Sequence, residues 1–237
     1  MAKNPVKLYK TTFTDIRSLS GWNKHFRCSF EDSVKLDFQA GQFMMVRIMR
    51  DGKLVKRAYS ICSAPTHREY VEFVITKVEG GFVSNWFHDR KVGDPVELEG
   101  PYGHFVIKEP KGKEIIFACT GSGVAPFRSM IPTLLVKDPH KPIWLFLGVR
   151  YEDQILYHEE FEALAKQHRN FTFVPTISRP KEWKGEVGYV QEKLKKYIVD
   201  PAGKNLYICG LPNMVDDVKK VAEEIGFPKE KVFYEKY

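Results

Sequence analysis

No Cys-x-x-Cys pair occurs in the 237 residues, and the four cysteines, Cys28, Cys62, Cys119 and Cys209, are widely scattered. That argues against an iron–sulfur cluster or a zinc site built on cysteine, and it offers no disulfide framework. Apolar runs are short. Pro142 to Val149 (PIWLFLGV) is among the longest, well under the roughly 20 residues that span a bilayer. The opening stretch, MAKNPVKLYKTTF, has no apolar core of a secretory signal, so a cytoplasmic protein without a membrane span is expected. Zinc-finger, RNP and helix-turn-helix signatures are missing, so nucleic acid is not expected as a partner. Internal repeats and low-complexity segments are missing too.

The chain does carry a net charge of +7, with 43% hydrophobic and 28% charged residues. That balance is ordinary for a globular chain of one large or two small domains. The excess of lysine and arginine suits an acidic partner, although a solvated lysine-rich surface accounts for it equally. The first hundred residues read as short strands: VKLDF, QFMMVRIM, AYSICS, YVEFVITKV and PVELEG, separated by turn signals such as QAGQ, RDGK, EGG and VGDP. Such regular short strands predict a small barrel or sandwich. Gly80 to Arg90 has the spacing of a short helix. After residues 108–113 the texture changes. The buried-strand runs EIIFACT, PIWLFLGVR, FTFVPTIS and NLYICG alternate with the helix-like VAPFRSMIPTLLVK, LYHEEFEALAKQH, YVQEKLKKYI and NMVDDVKKVAEEIG. Alternation of this kind predicts a parallel sheet with helices on both faces.

Five stretches could carry chemistry. CTGSGVAPF, Cys119 to Phe127, reads as strand, glycine turn and helix, an arrangement that binds phosphate through close backbone approach and the helix N-terminus. It is neither GxGxxG nor GxxxxGK[ST], and a plain turn explains it about as well. Arg57-Ala58-Tyr59-Ser60 could hold a pyrophosphate, stack on a flat ring and donate a hydrogen bond. Strand alternation puts Arg57 and Tyr59 on one face and Ala58 and Ser60 on the other, so a local bulge is needed for all to reach one ligand. An ordinary barrel strand is the plain alternative. Gly80 to Ser84 (GGFVS) suits a phosphate at a helix start, or simply a turn. Cys209 to Met214 (CGLPNM) stands at the carboxyl end of a strand, where open α/β sheets bind ligands; Cys209 alone reads as a small buried apolar residue. Phe233 to Tyr237 puts two tyrosines at the end of the sequence, either covering a flat cofactor or forming a sheet edge.

Taken in order, these stretches resemble the ferredoxin–NADP reductase superfamily across essentially the whole chain. RAYS is similar to its flavin-binding Arg-x-Tyr-Ser, GGFVS to its second phosphate turn, and Gly93 to Phe105 to the stretch closing its flavin domain. CTGSGVAPF is similar to its pyridine-nucleotide loop, and CGLPNM to its Cys-Gly loop. The resemblance implies an antiparallel FAD-binding β-barrel over residues 1–110, followed by a Rossmann-like α/β NADP(H)-binding domain over 111–237. It places Arg57 on flavin phosphate, Tyr59 against the isoalloxazine and Ser60 near flavin N5. It puts Gly81, Val83 and Ser84 at the pyrophosphate. Thr120, Gly121, Gly123 and Val124 fall at the pyridine nucleotide, with Cys209 and Gly210 close to the nicotinamide.

Glu235-Lys236-Tyr237 resembles the Glu-x-Tyr ending of plant-type members. That implies a Tyr237 that stacks on flavin and moves aside for nicotinamide, and a Glu235 in the proton and hydride site. Ser178-Arg179 matches where NADP enzymes of the family carry groups for the 2′-phosphate, whereas an NADH enzyme would more readily show an acidic residue. The expected activity is therefore exchange of electrons between NADP(H) and a separate acidic carrier, ferredoxin or flavodoxin, through FAD. FMN is the other flavin to weigh; for FAD, Tyr70 is a candidate for stacking on adenine. Two rivals stand beside this expectation. One is an NADH-dependent oxygenase reductase component or free-flavin reductase. The other is a non-catalytic flavin-binding electron-transfer subunit.

Overall fold

Six strands and one helix build the first part of the chain. They are β1 (Lys7–Ser18), β2 (Asn23–Phe30), β3 (Phe43–Arg50), β4 (Lys53–Ser60), β5 (Tyr70–Thr76), α1 (Phe82–His88) and β6 (Pro95–Tyr102). In this computed structural model, residues 7–108 and 113–237 are described. The strands lie in the order β4-β3-β6-β1-β2-β5 with antiparallel neighbours, an antiparallel half-barrel. Alternation is cleanest in β3, where Met44, Val46 and Ile48 are buried and their neighbours are not, as expected of a sheet with one face on a core. That core is aromatic at its centre: Phe13 lies 5.6 Å from Phe26, and Phe26 lies 5.0 Å from Phe87 of α1.

Four stretches depart from the sequence-based expectation. VKLDF, residues 34–38, forms no strand. Leu36 and Phe38 still reach the core, but from a loop in which the Leu36 N–H donates to the Arg68 carbonyl at 2.8 Å. β1 and β2 were not legible, because charged and polar residues interrupt their alternation; in β2 even His25 is fully buried. β4 also begins at Lys53, well before AYSICS. It is an edge strand, and Lys53, Lys56 and Arg57 give it the charge that keeps such edges from pairing with other chains.

The second part reads β7 (Glu114–Thr120), α2 (Ala125–Lys137), β8 (Ile143–Val149), α3 (His158–Gln167), β9 (Phe171–Ile177), β10 (Glu186–Val187), α4 (Val190–Tyr197), β11 (Lys204–Gly210), α5 (Pro212–Glu224) and β12 (Val232–Lys236). Its parallel sheet has the order β10-β9-β8-β7-β11-β12. The five central residues of β7 are all buried, as are the last six of β11; continuous apolar runs are what a sheet covered on both faces requires. The chain moves outward from β7 to β10 and then returns to the other side of β7 with β11. The carboxyl ends of β7 and β11 therefore flank the topological switch point, where open α/β sheets bind ligands.

The chain separates into two compact units, one of residues 1–106 with Arg128–Met130, the other of Ile107–Phe127 with Ile131–Tyr237. The boundary expected between 110 and 111 lies outside the described residues. Among the described residues, no helix is long and apolar enough to cross a membrane.

Candidate active site

In the first unit the Arg57 to Ser60 segment closes β4. Its register with β3 is unbroken, pairing Val46 with Arg57, Met44 with Tyr59 and Phe43 with Ser60. The bulge that the sequence seemed to require is not there. Arg57 and Tyr59 share one face, as alternation dictates, with Ala58 and Ser60 on the other; Ser60 is the last residue of the strand, beyond which alternation no longer binds the chain. Tyr59 is half-buried, its ring edge-on to Phe87 at 5.2 Å and 73°. Burial pushes its hydroxyl up to about 12, while the Arg57 charge pulls the other way. Arg57 is exposed, donates to the Lys56 carbonyl at 2.8 Å, and has no carboxylate within ion-pair reach among the described residues. A guanidinium of this kind fits a phosphate.

The turn before α1 is equally specific. A Cβ at Gly81 would lie 2.8 Å from the Ser84 hydroxyl and 3.0 Å from the Val78 Cβ. Ser84 is buried, and its hydroxyl is already engaged: it accepts from the Val78 N–H at 3.1 Å and donates to the Gly81 carbonyl at 3.2 Å. The role left to Ser84 and Val83 at a pyrophosphate is that of backbone at an uncapped helix start. Tyr70 does not offer a vacant ring. His67 stacks on it at 5.0 Å and Arg27 sits 4.3 Å above it.

Beside it, His25, Cys62 and Glu72 bring three potential metal-ligand atoms within 4.8 Å of one another. The Glu72 carboxylate is committed elsewhere. One oxygen accepts from Arg27 at 3.0 and 2.8 Å, the other from Arg128 at 2.7 Å. A cation would have to displace two guanidinium groups, so the cluster is an ion-pair hub. Burial alone would raise the Glu72 pKa, but His25 and Arg128 overcome it and hold the carboxyl well below its usual range.

The second unit assembles its groups at the switch point. β7 ends on Thr120, and Gly121–Val124 form a single 3₁₀ turn before α2. Gly121 has φ +52°, a conformation that glycine adopts without penalty. A Cβ on Gly123 would lie 2.3 Å from the Cys209 carbonyl oxygen, and one on Gly210 would lie 2.8 Å from Thr120 Oγ1. The glycines thus let the two loops touch. Thr120 Oγ1 is buried and has no hydrogen-bond partner among the described residues, the state of a hydroxyl waiting for a ligand. β12 runs parallel to β11 and sets Glu235 opposite Cys209. Burial raises the Glu235 carboxyl, and burial followed by the Glu235 charge raises the Cys209 thiol well above its ordinary value. At neutral pH Cys209 is an uncharged thiol and no nucleophile. Tyr237 as a residue is half-exposed, but its hydroxyl reaches into the glycine loop, which sequence reasoning did not foresee. Ser122 was also missed; its only signal in the sequence is its place between two glycines.

Ser178 and Arg179 follow β9. Their N–H groups donate to the carbonyls of Val149 and Arg150 at 3.0 and 2.9 Å, which carries the β8–β9 pairing past the strand ends. Arg179 is exposed and, among the described residues, unpaired with any carboxylate.

Residues 10–107 match the family described as oxidoreductase FAD-binding domain, and residues 117–220 that described as oxidoreductase NAD-binding domain. Fold and site thus define an FAD- and NAD(P)-binding flavoprotein oxidoreductase. The chain belongs to the ferredoxin–NADP reductase family. It is 32% identical over 237 residues to ferredoxin–NADP reductase B of Sorangium cellulosum, covering 97% of each chain. It is 34% identical over 217 residues to the phenol hydroxylase P5 protein of Acinetobacter pittii, covering 89% of this chain and 60% of that one. A ferredoxin NADP+ reductase from Neisseria gonorrhoeae, solved with bound FAD and NADP, has the same fold, with TM-score 0.86, 24% identity, and 97% and 98% of the two chains covered.

Proposed function

We propose that the protein is a cytoplasmic ferredoxin– or flavodoxin–NADP+ reductase that takes NADP(H) in preference to NADH and serves an acidic one-electron carrier. The observation that carries the nucleotide preference is Arg179, exposed just past β9 and, among the described residues, unpaired with any carboxylate, where an NADH enzyme would more readily hold one. The net charge of +7 supports the acidic carrier through electrostatic steering. The residues described above support the following division of labour. Bound FAD supplies the exchange between hydride and single electrons. Arg57 and the Gly81–Ser84 turn hold its phosphates, Tyr59 packs the ring, and Ser60 hydrogen-bonds near N5. Thr120, Gly121, Gly123 and Val124 seat the nucleotide, while Cys209 and Gly210 bound the nicotinamide with an uncharged wall. Glu235, its pKa raised by burial, is a carboxyl able to hold a proton there. These groups position and polarise, and none acts as a nucleophile.

The test is the purified protein, its flavin identified by mass, assayed with NADPH and NADH against ferricyanide. FAD with strong NADPH preference is expected. FAD with NADH preference would move the protein to the oxygenase-reductase class. Flavin binding without turnover would make it an electron-transfer subunit. Arg179→Ala should raise the KM for NADPH about 10- to 100-fold, the worth of a charge-assisted bond to phosphate, and leave the KM for NADH nearly unchanged. Alanine at Ser60, Cys209 or Glu235 should slow hydride transfer in stopped flow more than it weakens flavin binding. Wild-type rates in all three variants would remove them from the reaction.

A further inference from the structure

The adenine of FAD has lost the partner expected for it, since Tyr70 already carries His67 on its ring. Tyr59 and Arg57 lie on one face of the β3–β4 hairpin, and that face continues past them. Its cross-strand pairs are Met44–Tyr59, Val46–Arg57, Ile48–Val55 and Arg50–Lys53, because alternate residues share a side. The last pair lies four residues along the strands from Arg57, about 13 Å at the rise of a strand. Asp51 and Gly52 close the hairpin with φ of +50° and +74°, a two-residue turn that matches strand twist and fixes the register.

Two features of this far end find no reason within the fold. Arg50 stands opposite Lys53, and like charges in that position cost a hairpin stability. The carboxylate that Arg50 reaches is its neighbour Asp51, at 3.5 Å and with 90% of its side chain exposed, a contact worth little in water. In addition, the Arg50 guanidinium turns toward α1 and lies 4.6 Å over the Phe82 ring. Phe82 follows Gly81 in the phosphate turn and is packed against the core of the unit, so the cation rests on a fixed platform. The Arg50 side chain is still 56% exposed. One face of the guanidinium is taken by Phe82, and the other is open.

We propose that Arg50, held on Phe82, is the stacking partner of the FAD adenine and sets a preference for FAD over FMN. A guanidinium plane stacks on nucleobases as it does on aromatic rings. The negative charge of the nucleotide half also offsets the repulsion between Arg50 and Lys53. FMN ends at its phosphate, so it reaches Arg57 and no further. Ring at Tyr59, phosphate at Arg57 and adenine at Arg50 then follow the order of the cofactor along one strand face. This inference rests on the reading of Tyr59 and Arg57 as flavin ligands.

The test is flavin exchange in the loaded protein. Holoprotein is equilibrated with mixtures of FAD and FMN, and the bound flavin is identified by mass after rapid desalting. Stacking of one base corresponds to about a five- to thirtyfold change in an equilibrium constant. Arg50→Ala should lower the preference for FAD by that factor while FMN binding, followed by flavin fluorescence, stays as in wild type. A merely structural role, in which Arg50 steadies α1, would weaken both flavins alike; an unmoved ratio therefore overturns the proposal. Arg50→Lys keeps the charge without the plane and should recover little of the preference. Full recovery in that variant overturns stacking in favour of a point charge on phosphate. Phe82→Leu removes the platform and should shift the ratio in the same direction, with Arg50→Ala adding little in that background.

Arg57→Ala separates the inference from the reading on which it rests, because it should weaken FAD and FMN together. If it leaves both flavins bound as in wild type while Arg50→Ala shifts the ratio, Arg57 is removed from the flavin and Arg50 keeps the adenine. A wild-type protein that prefers FMN overturns the proposal outright.

Discussion

Alanine in place of Glu72 is expected to destabilise the first unit by about 3–5 kcal/mol, the range for removing one partner from a buried ion pair. Glu72 is 3% exposed, and its carboxylate is the shared acceptor of Arg27 and Arg128. The Arg128 side chain is only 14% exposed, so without Glu72 a guanidinium is left poorly solvated and without its counter-charge. Urea unfolding of the FAD-loaded protein followed by tryptophan fluorescence measures the loss. A change below about 1 kcal/mol would show that the pair is no stronger than an exposed one. The hub also gives the unit an acid limit. The folded-state pKa of Glu72 lies below the value of about 4.3 for an unfolded glutamate. Its contribution is complete above that value and is lost as pH falls toward the folded pKa. Glu72→Gln should therefore lower stability at neutral pH and flatten the acid limb of the stability–pH curve.

Valine at Gly123 should abolish measurable NADP(H) binding while the flavin stays bound. The new Cβ would sit 2.3 Å from the Cys209 carbonyl oxygen, a backbone atom that no rotamer change can move aside. Relief requires the β7 and β11 loops to separate, and that separation dismantles the turn at the switch point. Overpacking of this kind costs about 1–3 kcal/mol in stability, but the larger effect falls on the site, because separating the loops removes the close backbone approach that the glycines allow. Calorimetry with NADP+ and a flavin absorbance spectrum report the two parts separately. Near-normal binding would mean that the loops have room the structure does not show.

The second unit was the more legible in sequence. Its sheet is buried on both faces, so EIIFACT, PIWLFLGVR, FTFVPTIS and NLYICG stand out as apolar runs, and the glycines between elements mark the loops. The first unit hid two strands, because its sheet is amphipathic and β2 gives an inward place to His25, which belongs to a hub with Glu72 of β5 and Arg128 of α2. No local pattern announces a charge buried against partners distant in sequence. The candidate residues at the flavin could be named from RAYS and GGFVS, yet their manner of action could not. The bulge in β4 was unnecessary, Ser84 proves to have its hydroxyl engaged, and Tyr70 carries His67 on its ring. Ser122 escaped notice because a serine between glycines signals only a turn; it gains meaning when β12 brings Tyr237 beside the loop, a pairing of residues 115 apart in the chain.

The place of β6 in the first sheet has a consequence for how the chain is made. β6 lies between β3 and β1, and its register pairs Gly100 with Lys7. Until the ribosome has released residues near 100, β1 and β3 each present a bare strand edge with no neighbour to fill it. At about 5–20 residues per second, the stretch from the end of β3 to the start of β6 takes about 2–9 s. The second unit has the same gap: β7 pairs with β8 at once, but its other edge waits for β11, whose register sets Lys204 opposite Glu114. Each unit therefore holds a bare strand edge through much of its own synthesis, since long-range pairing must close a large loop before it gains contacts. Slower translation prolongs the exposure, and chains truncated just before Pro95 retain both open edges permanently.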